Sequence, residues 1–60
     1  MDRLLKAEEV ARLLDVNLSV VYRWAAAGRL PAVKLGRALR FRERELEELL
    51  DRSRVDGELS

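Results

Sequence analysis

The sequence feature that most constrains the fold is a change in hydrophobic period at residues 28–31. Before this segment, apolar residues recur every three or four positions, as on one face of a helix, whereas after it they alternate with polar residues, as in a strand. The segment contains Gly28 and Pro31, which are typical of the end of a helix. A chain of 60 residues has room for one small domain. The sequence therefore predicts helices followed by a β-hairpin within one domain.

Apolar periodicity predicts three helices. They cover about residues 6–14, 18–27 and 43–52. Asn17 is a favoured N-cap residue and marks the start of the second helix. Within that helix Leu18, Val21, Trp24 and Ala25 share an apolar arc, so we expect Trp24 to be buried between the first two helices and the hairpin. The stripe of Leu46, Leu49 and Leu50 predicts that the third helix closes the core.

The hairpin is predicted over about residues 32–41, with a tight turn at Gly36 and Arg37. Together with the helices it indicates a mostly α fold with a small β-hairpin, a winged helix-turn-helix, occupying residues 1–54. Residues 55–60 are polar and without periodicity, so we expect a disordered tail. The expected apolar face of the hairpin carries Val33, Leu35, Leu39 and Phe41, and the expected basic face carries Lys34 and Arg40, with Arg37 at the tip.

Positive charge is concentrated in the middle of the chain. Residues 23–44 contain seven lysines and arginines and one carboxylate, a net charge of +6, although the whole chain has a net charge of only +1. The same region holds the predicted hairpin and the outer face of the second helix, where Ser19, Arg23 and Ala26 lie opposite the apolar arc. Small residues around one arginine suit close approach to the floor of a DNA major groove. The pattern favours a polyanionic partner.

Three segments, "EEVARLLDV", "NLSVVYRWAAAGRLPAVKLGR" and "RFRERELEELL", make the chain resemble the excisionase-type helix-turn-helix family, which is related to the MerR regulators. The resemblance implies that the second helix enters the major groove of double-stranded DNA while the hairpin reaches an adjacent minor groove or the backbone. Val20 could touch a thymine methyl group. Arg42 and Arg44, at the entrance to the third helix, are predicted phosphate contacts. The DNA contacts implied by the resemblance are Asn17, Ser19, Tyr22, Arg23, Lys34, Arg37 and Arg40.

The chain departs from the pattern of that family at several positions. Lys6 stands where a serine or threonine usually caps the first helix, and Leu18 and Val20 replace residues that are commonly polar. Ala38 occupies a position that is frequently basic. These differences predict a weaker start of the first helix and fewer polar contacts with DNA.

Composition argues against other classes of function. The chain has no histidine, no cysteine and no glycine-rich phosphate loop, so we expect no enzyme activity, cofactor, metal or small-molecule ligand. It has no apolar run long enough to span a membrane and no signal peptide, which favours a cytoplasmic protein that does not contact membranes.

Several roles remain open at this point. The resemblance fits a recombination directionality factor or a small transcriptional regulator, acting with further copies of itself on repeated sites or with a recombinase. The alternatives are a protein-interaction module in which Trp24 and Tyr22 form an anchor, or the DNA-targeting domain of a larger recombinase or phage packaging protein.

Overall fold

The computed structural model describes residues 2–54, and the predicted tail at residues 55–60 lies outside the described residues. The elements follow one another closely along the chain. They are β1 (Leu4–Lys6), α1 (Ala7–Leu14), α2 (Leu18–Ala26), β2 (Val33–Leu35), β3 (Ala38–Arg42) and α3 (Glu43–Arg52). The three predicted helices are confirmed, and their bounds agree with the expected ones within one residue at each end. The strand β1 was not predicted.

Strand β1 enlarges the expected hairpin to a three-stranded antiparallel sheet in the order β1-β3-β2. Leu5 lies opposite Phe41 in this sheet, and both side chains are buried. A strand of three residues is too short to show an alternating pattern, so periodicity could not reveal it. The three helices and the small sheet form a winged helix-turn-helix, which confirms the predicted fold.

The starts of the helices depend on different groups. At α1 the backbone N–H of Lys6 donates to Oε1 of Glu9 over 2.8 Å, while the lysine side chain has no acceptor atom to offer in return. At α2 Asn17 is the N-cap residue, as predicted, but its side chain makes no capping hydrogen bond. The amide side chain of Asn17 is therefore free for other contacts.

Helices α1 and α2 end in the same backbone motif. At α2 the N–H of Arg29 donates to the carbonyl of Trp24 over 2.8 Å and the N–H of Gly28 donates to that of Ala25 over 3.1 Å, with Gly28 at φ 77°. At α1 the corresponding bonds join Val16 to Ala11 and Asp15 to Arg12, and Asp15 takes the left-handed position at φ 56°. The turn between the two helices is thus fixed by the backbone of α1.

The core lies between the helices and one face of the sheet. Its most deeply buried side chains are Phe41, Val10 and Val21. Trp24, which we expected to be buried between the first two helices and the hairpin, is partly buried and packs against the core. Its exposed part lines a groove of about 390 Å³ together with Leu14, Leu30 and Leu49, between the end of α1 and α3. Leu50 is 45% exposed, so α3 closes the core with fewer leucines than predicted.

The register of the hairpin corrects the predicted assignment of its faces. The turn has two residues, so Leu35 pairs with Ala38, Lys34 with Leu39 and Val33 with Arg40. Directly opposed residues of an antiparallel pair point to the same side of the sheet. Lys34 therefore shares the side of Leu39 and Phe41, and Arg40 lies on the other side with Val33 and Leu35. The predicted separation into an apolar face and a basic face is wrong.

Candidate nucleic-acid interface

Helix α2 presents an uncovered face with one basic group at its centre. Ser19, Tyr22, Arg23 and Ala26 are exposed and follow the spacing of residues that share one side of a helix. Val21, on the opposite side, is completely buried and holds α2 on the core. Asn17 is exposed at the start of the helix, and Val20 is partly buried. The predicted helix contacts are therefore accessible, Val20 only in part.

A groove runs between α2 and the hairpin. It has a volume of about 480 Å³ and is lined on the helix side by Tyr22 and Ala26 and on the sheet side by Lys34 and Leu39, with Arg37 at the turn. Tyr22 is 45% exposed. The structure thus brings together three of the predicted site residues, Tyr22, Lys34 and Arg37, from two elements. Sequence periodicity missed the apolar residues of this groove, although the two-residue turn already implied that Lys34 and Leu39 share a side.

The remaining predicted cations lie elsewhere. Arg40 is partly buried on the opposite side of the sheet, where its Nη1 donates to the carbonyl oxygen of Leu39 over 2.9 Å. Arg42 shares that side, and its Nη1 lies 3.8 Å from Oε2 of Glu45. The structure therefore does not unite Arg40 and Arg42 with Lys34. Arg44 is exposed in the first turn of α3, and its backbone N–H donates to Oδ1 of Asp2 over 3.2 Å.

The cations on the exposed face of α2 and in the groove beside it have no acidic partner among the described residues. Within residues 2–54, Arg23, Lys34 and Arg37 have no carboxylate within ion-pair distance. By contrast, Arg3 is held between two carboxylates, at 3.3 Å from Glu9 and 3.7 Å from Glu43. Exposed cations without acidic neighbours raise the local positive potential and attract polyanions. The acidic side chains of α3, Glu47, Glu48 and Asp51, are exposed.

The two aromatic side chains proposed as a joint anchor lie apart. Tyr22 lines the groove beside the hairpin, whereas Trp24 lines the groove between the end of α1 and α3. A single partner side chain could not be held between them. This geometry corrects the expectation that Tyr22 and Trp24 form one anchor.

Two other kinds of site were sought in the described part of the chain, a metal centre and a membrane span. Residues 2–54 contain no group of three or more acidic side chains placed to hold a metal ion. None of the helices within that range is both long enough and apolar enough to cross a membrane. The exposed residues of α2 and the groove beside them, where Lys34 and Arg37 lie, form the candidate site.

A family model described as a helix-turn-helix domain matches residues 4–54. The chain belongs to this helix-turn-helix family. The match covers all six elements of the fold, from β1 to α3. Two relatives from two strains of Mycobacterium tuberculosis, each carrying the name "Putative DNA-binding protein", are 39% identical to this helix-turn-helix chain over 55 residues. The alignments span 92% of this chain and 70% of each relative. No solved structure matches the chain.

Proposed function

We propose that the protein binds double-stranded DNA with sequence preference. The observation that carries this proposal is the exposed face of α2, in which Arg23 stands among the small residues Ser19 and Ala26 beside a groove rimmed by Lys34 and Arg37. The M. tuberculosis relatives are named for DNA binding, which agrees with this geometry. A helix with so few bulky side chains on its outer face can lie close to base edges in the major groove.

The exposed residues have different tasks in this proposal. Arg23 reads a base, because the planar guanidinium fork can donate two parallel hydrogen bonds to guanine. Ser19 and Asn17 offer hydrogen bonds to the adjoining backbone, and Val20 offers an apolar contact to a thymine methyl group. Tyr22, Lys34 and Arg37 hold the DNA backbone beside the helix. Arg44 stays a predicted phosphate contact, and Arg40 and Arg42 face away from this surface.

We infer that the biological role is that of an excisionase-like recombination directionality factor or of a small transcriptional regulator related to the MerR type. Both roles begin with the same binding step. A single recognition helix reads only a few base pairs, so useful specificity in either role needs a second copy on a repeated site or another DNA-bound protein such as a recombinase. No catalytic step enters either role.

The test of DNA reading is site selection from a random duplex library with the native protein and with Arg23→Ala. The native protein is expected to enrich a short motif. Arg23→Ala should lose preference at one guanine, with discrimination there reduced by about 1–3 kcal/mol. Arg29→Ala is the matched control, because Arg29 is also exposed but lines the groove beside Trp24.

Two outcomes would contradict the proposal in different ways. If the native protein enriches no duplex and binds none, DNA binding itself is wrong. If Arg23→Ala selects the same motif as the native protein with the same strength, another residue of α2 reads the base.

A further inference from the structure

Leu18 is an apolar residue at the start of α2 that lies outside the core. Its spacing predicts a place in the buried arc with Val21 and Trp24, but it belongs neither to the core cluster nor to the partly buried residues that pack against that cluster. The residue is 36% exposed and is the first residue of the helix. Packing within the domain thus leaves part of this leucine uncovered.

The exposed residues of α2 form two rows along the helix. Residues four positions apart lie above one another, so Leu18 and Tyr22 share one row, and Ser19 and Arg23 share the next. Tyr22 lines the groove beside the hairpin, which places the first row on the hairpin side of the exposed face. The first row presents an aliphatic side chain and an aromatic ring, whereas the second row is polar. A duplex that lies against α2 meets both rows.

The chemistry of Leu18 restricts the base that it can contact. A recognition helix in the major groove contacts base edges with the residues of its N-terminal part. A leucine side chain has no hydrogen-bonding atom, so against the donors and acceptors of adenine, guanine or cytosine it would leave polar groups of the base without partners. The C5 methyl group of thymine is the apolar group that a base pair presents in this groove. Leu18 therefore fits thymine better than the other bases.

We propose that Leu18 is a specificity-determining residue, which selects a thymine through contact between its side chain and the C5 methyl group of that base. The proposal rests on the proposed function and names a second base that α2 reads beside the guanine of Arg23. Leu18 and Arg23 are five residues apart, which is about 7.5 Å along the helix axis. At about 3.4 Å per base pair, the thymine should lie within about three base pairs of that guanine.

Val20, which is also proposed to contact a thymine, lies on a different flank of α2. Leu18 and Val20 are separated by about 200° around the helix, with Ser19 between them. Leu18 shares the hairpin side with Tyr22, so Val20 lies on the side away from the hairpin. A single methyl group cannot contact both side chains. The two contacts therefore belong to different base pairs and can be measured separately.

The first experiment replaces each thymine of the selected duplex in turn with deoxyuridine, which lacks only the C5 methyl group. Binding of the native protein, Leu18→Ala and Val20→Ala to each duplex is measured by fluorescence anisotropy. One replacement near the guanine of Arg23 should weaken native binding about fourfold, the loss expected when one methyl group is no longer buried. The same replacement should have less than about a 1.5-fold effect in Leu18→Ala and its full effect in Val20→Ala.

Leu13→Ala is the matched control, because Leu13 is an exposed leucine of α1 that lines a different pocket, beside Arg3 and Glu43. Its scan should reproduce the native pattern. Leu18→Met keeps an apolar side chain of similar size and should keep the sensitivity to deoxyuridine. Each scan compares duplexes within one protein, so a general loss of affinity or stability in a variant cannot imitate the expected result.

Three results of this experiment would overturn the proposal. The selected motif could lack a thymine near the guanine of Arg23. The native protein could tolerate deoxyuridine at every thymine, or its sensitivity could persist in Leu18→Ala and disappear only in Val20→Ala.

A second experiment separates the methyl group from the rest of the base. At the sensitive position, the thymine–adenine pair is replaced by cytosine–guanine or by 5-methylcytosine–guanine. The native protein should bind the methylated duplex about fourfold more tightly than the unmethylated one, whereas Leu18→Ala should bind both equally. Equal binding of the two duplexes by the native protein would contradict a methyl contact.

The proposed function and this inference fail separately. Absence of duplex binding refutes both together, whereas a selected motif in which every thymine tolerates deoxyuridine refutes only the inference about Leu18.

Discussion

At the scale of single residues, Glu9 connects the first strand to the first helix. Its carboxylate accepts from the backbone N–H of Lys6 and lies 3.3 Å from Arg3. The hydrogen bond from the Lys6 backbone, followed by the charge of Arg3, lowers the pKa of Glu9 below its ordinary value of 4.5. Glu9 thus makes its own half of a capping box, and the other half, an oxygen offered by a serine or threonine side chain at position 6, is missing because lysine has no acceptor.

The lowered pKa of Glu9 predicts that the domain loses stability in acid. A carboxyl group whose pKa is lower in the folded state stabilises the fold above its unfolded pKa and loses that effect as the pH falls through the folded-state value. We therefore expect the melting temperature of the native protein to fall between about pH 6 and about pH 3. Glu9→Gln, which keeps an oxygen for the Lys6 N–H but carries no charge, should show a smaller fall.

Glu8→Gln is the control for this measurement. Glu8 precedes Glu9 in the same first turn and is exposed, so its substitution changes the net charge equally. Thermal melts of the three proteins over the pH series decide the matter. Equal pH dependence in Glu8→Gln and Glu9→Gln would show that the carboxylate of Glu9 has no special part in acid sensitivity.

At the scale of elements, the ends of α1 and α2 use one motif with different residues. Gly28 takes the left-handed position at α2, and a Cβ atom placed there would meet nothing within 4 Å. Asp15 takes that position at α1, where a side chain is strained and a negative charge lies near the unfavourable end of the helix dipole. The two positions therefore form a natural pair for substitution.

We predict effects of opposite sign at these two positions. Gly28→Ala should destabilise the domain by about 1 kcal/mol, and the open space around the Cβ means that this arises from the backbone alone. Asp15→Gly should stabilise it by about 0.5–1 kcal/mol. Urea unfolding of the variants measures both changes. Destabilisation by Asp15→Gly would show that the aspartate side chain contributes more to the turn than its strain removes.

How much of each element the sequence could predict depended on the range of the interactions. Helix α2 has local signals at its two ends, Asn17 and Gly28, and α3 has a periodic stripe of leucines. Both helices were predicted nearly to the residue. Strand β1 depends on pairing between Leu5 and Phe41, which no local pattern reveals. The prediction of the hairpin faces was wrong for another reason. Residues alternate between the two sides in both strands, so the number of residues in the turn decides that Lys34 and Leu39 lie on the same side. Tyr22 and Lys34 were predicted one by one, and only the register places them in one groove.

At the scale of the whole molecule, basic and acidic side chains lie on different parts of the surface. The basic residues of the candidate site lie on α2 and the hairpin, whereas the exposed residues of α3 include Glu47, Glu48 and Asp51. The acidic helix would repel DNA phosphates and so favours one orientation of the bound duplex. The net charge of +1 conceals this division.

This separation of the basic surface from the acidic helix α3 predicts a modest salt dependence of DNA binding. If Lys34, Arg37 and Arg44 neutralise one phosphate each, the logarithm of the affinity should fall with the logarithm of the salt concentration at a slope of about −2.7. Lys34→Ala should reduce this slope to about −1.8, and Arg40→Ala should leave it near the native value. Fluorescence anisotropy titrations at several salt concentrations measure the slopes. An equal reduction in Arg40→Ala would place both sides of the sheet against the DNA.

The pairing of β1 with β3 also determines the order in which the domain can assemble. Leu5 and Phe41 are 36 positions apart, so joining them closes a loop whose entropy opposes folding by roughly 3 kcal/mol, whereas β2 and β3 meet across a two-residue turn. The helices and the hairpin can therefore form before β1 docks. We expect Leu5→Ala to accelerate unfolding while leaving the folding rate nearly unchanged in stopped-flow experiments, and a slower folding rate would contradict this order. Strand β1 precedes every other described element along the chain, yet it is then the last to join the sheet, so during synthesis it must stay unpaired until β3 has been made.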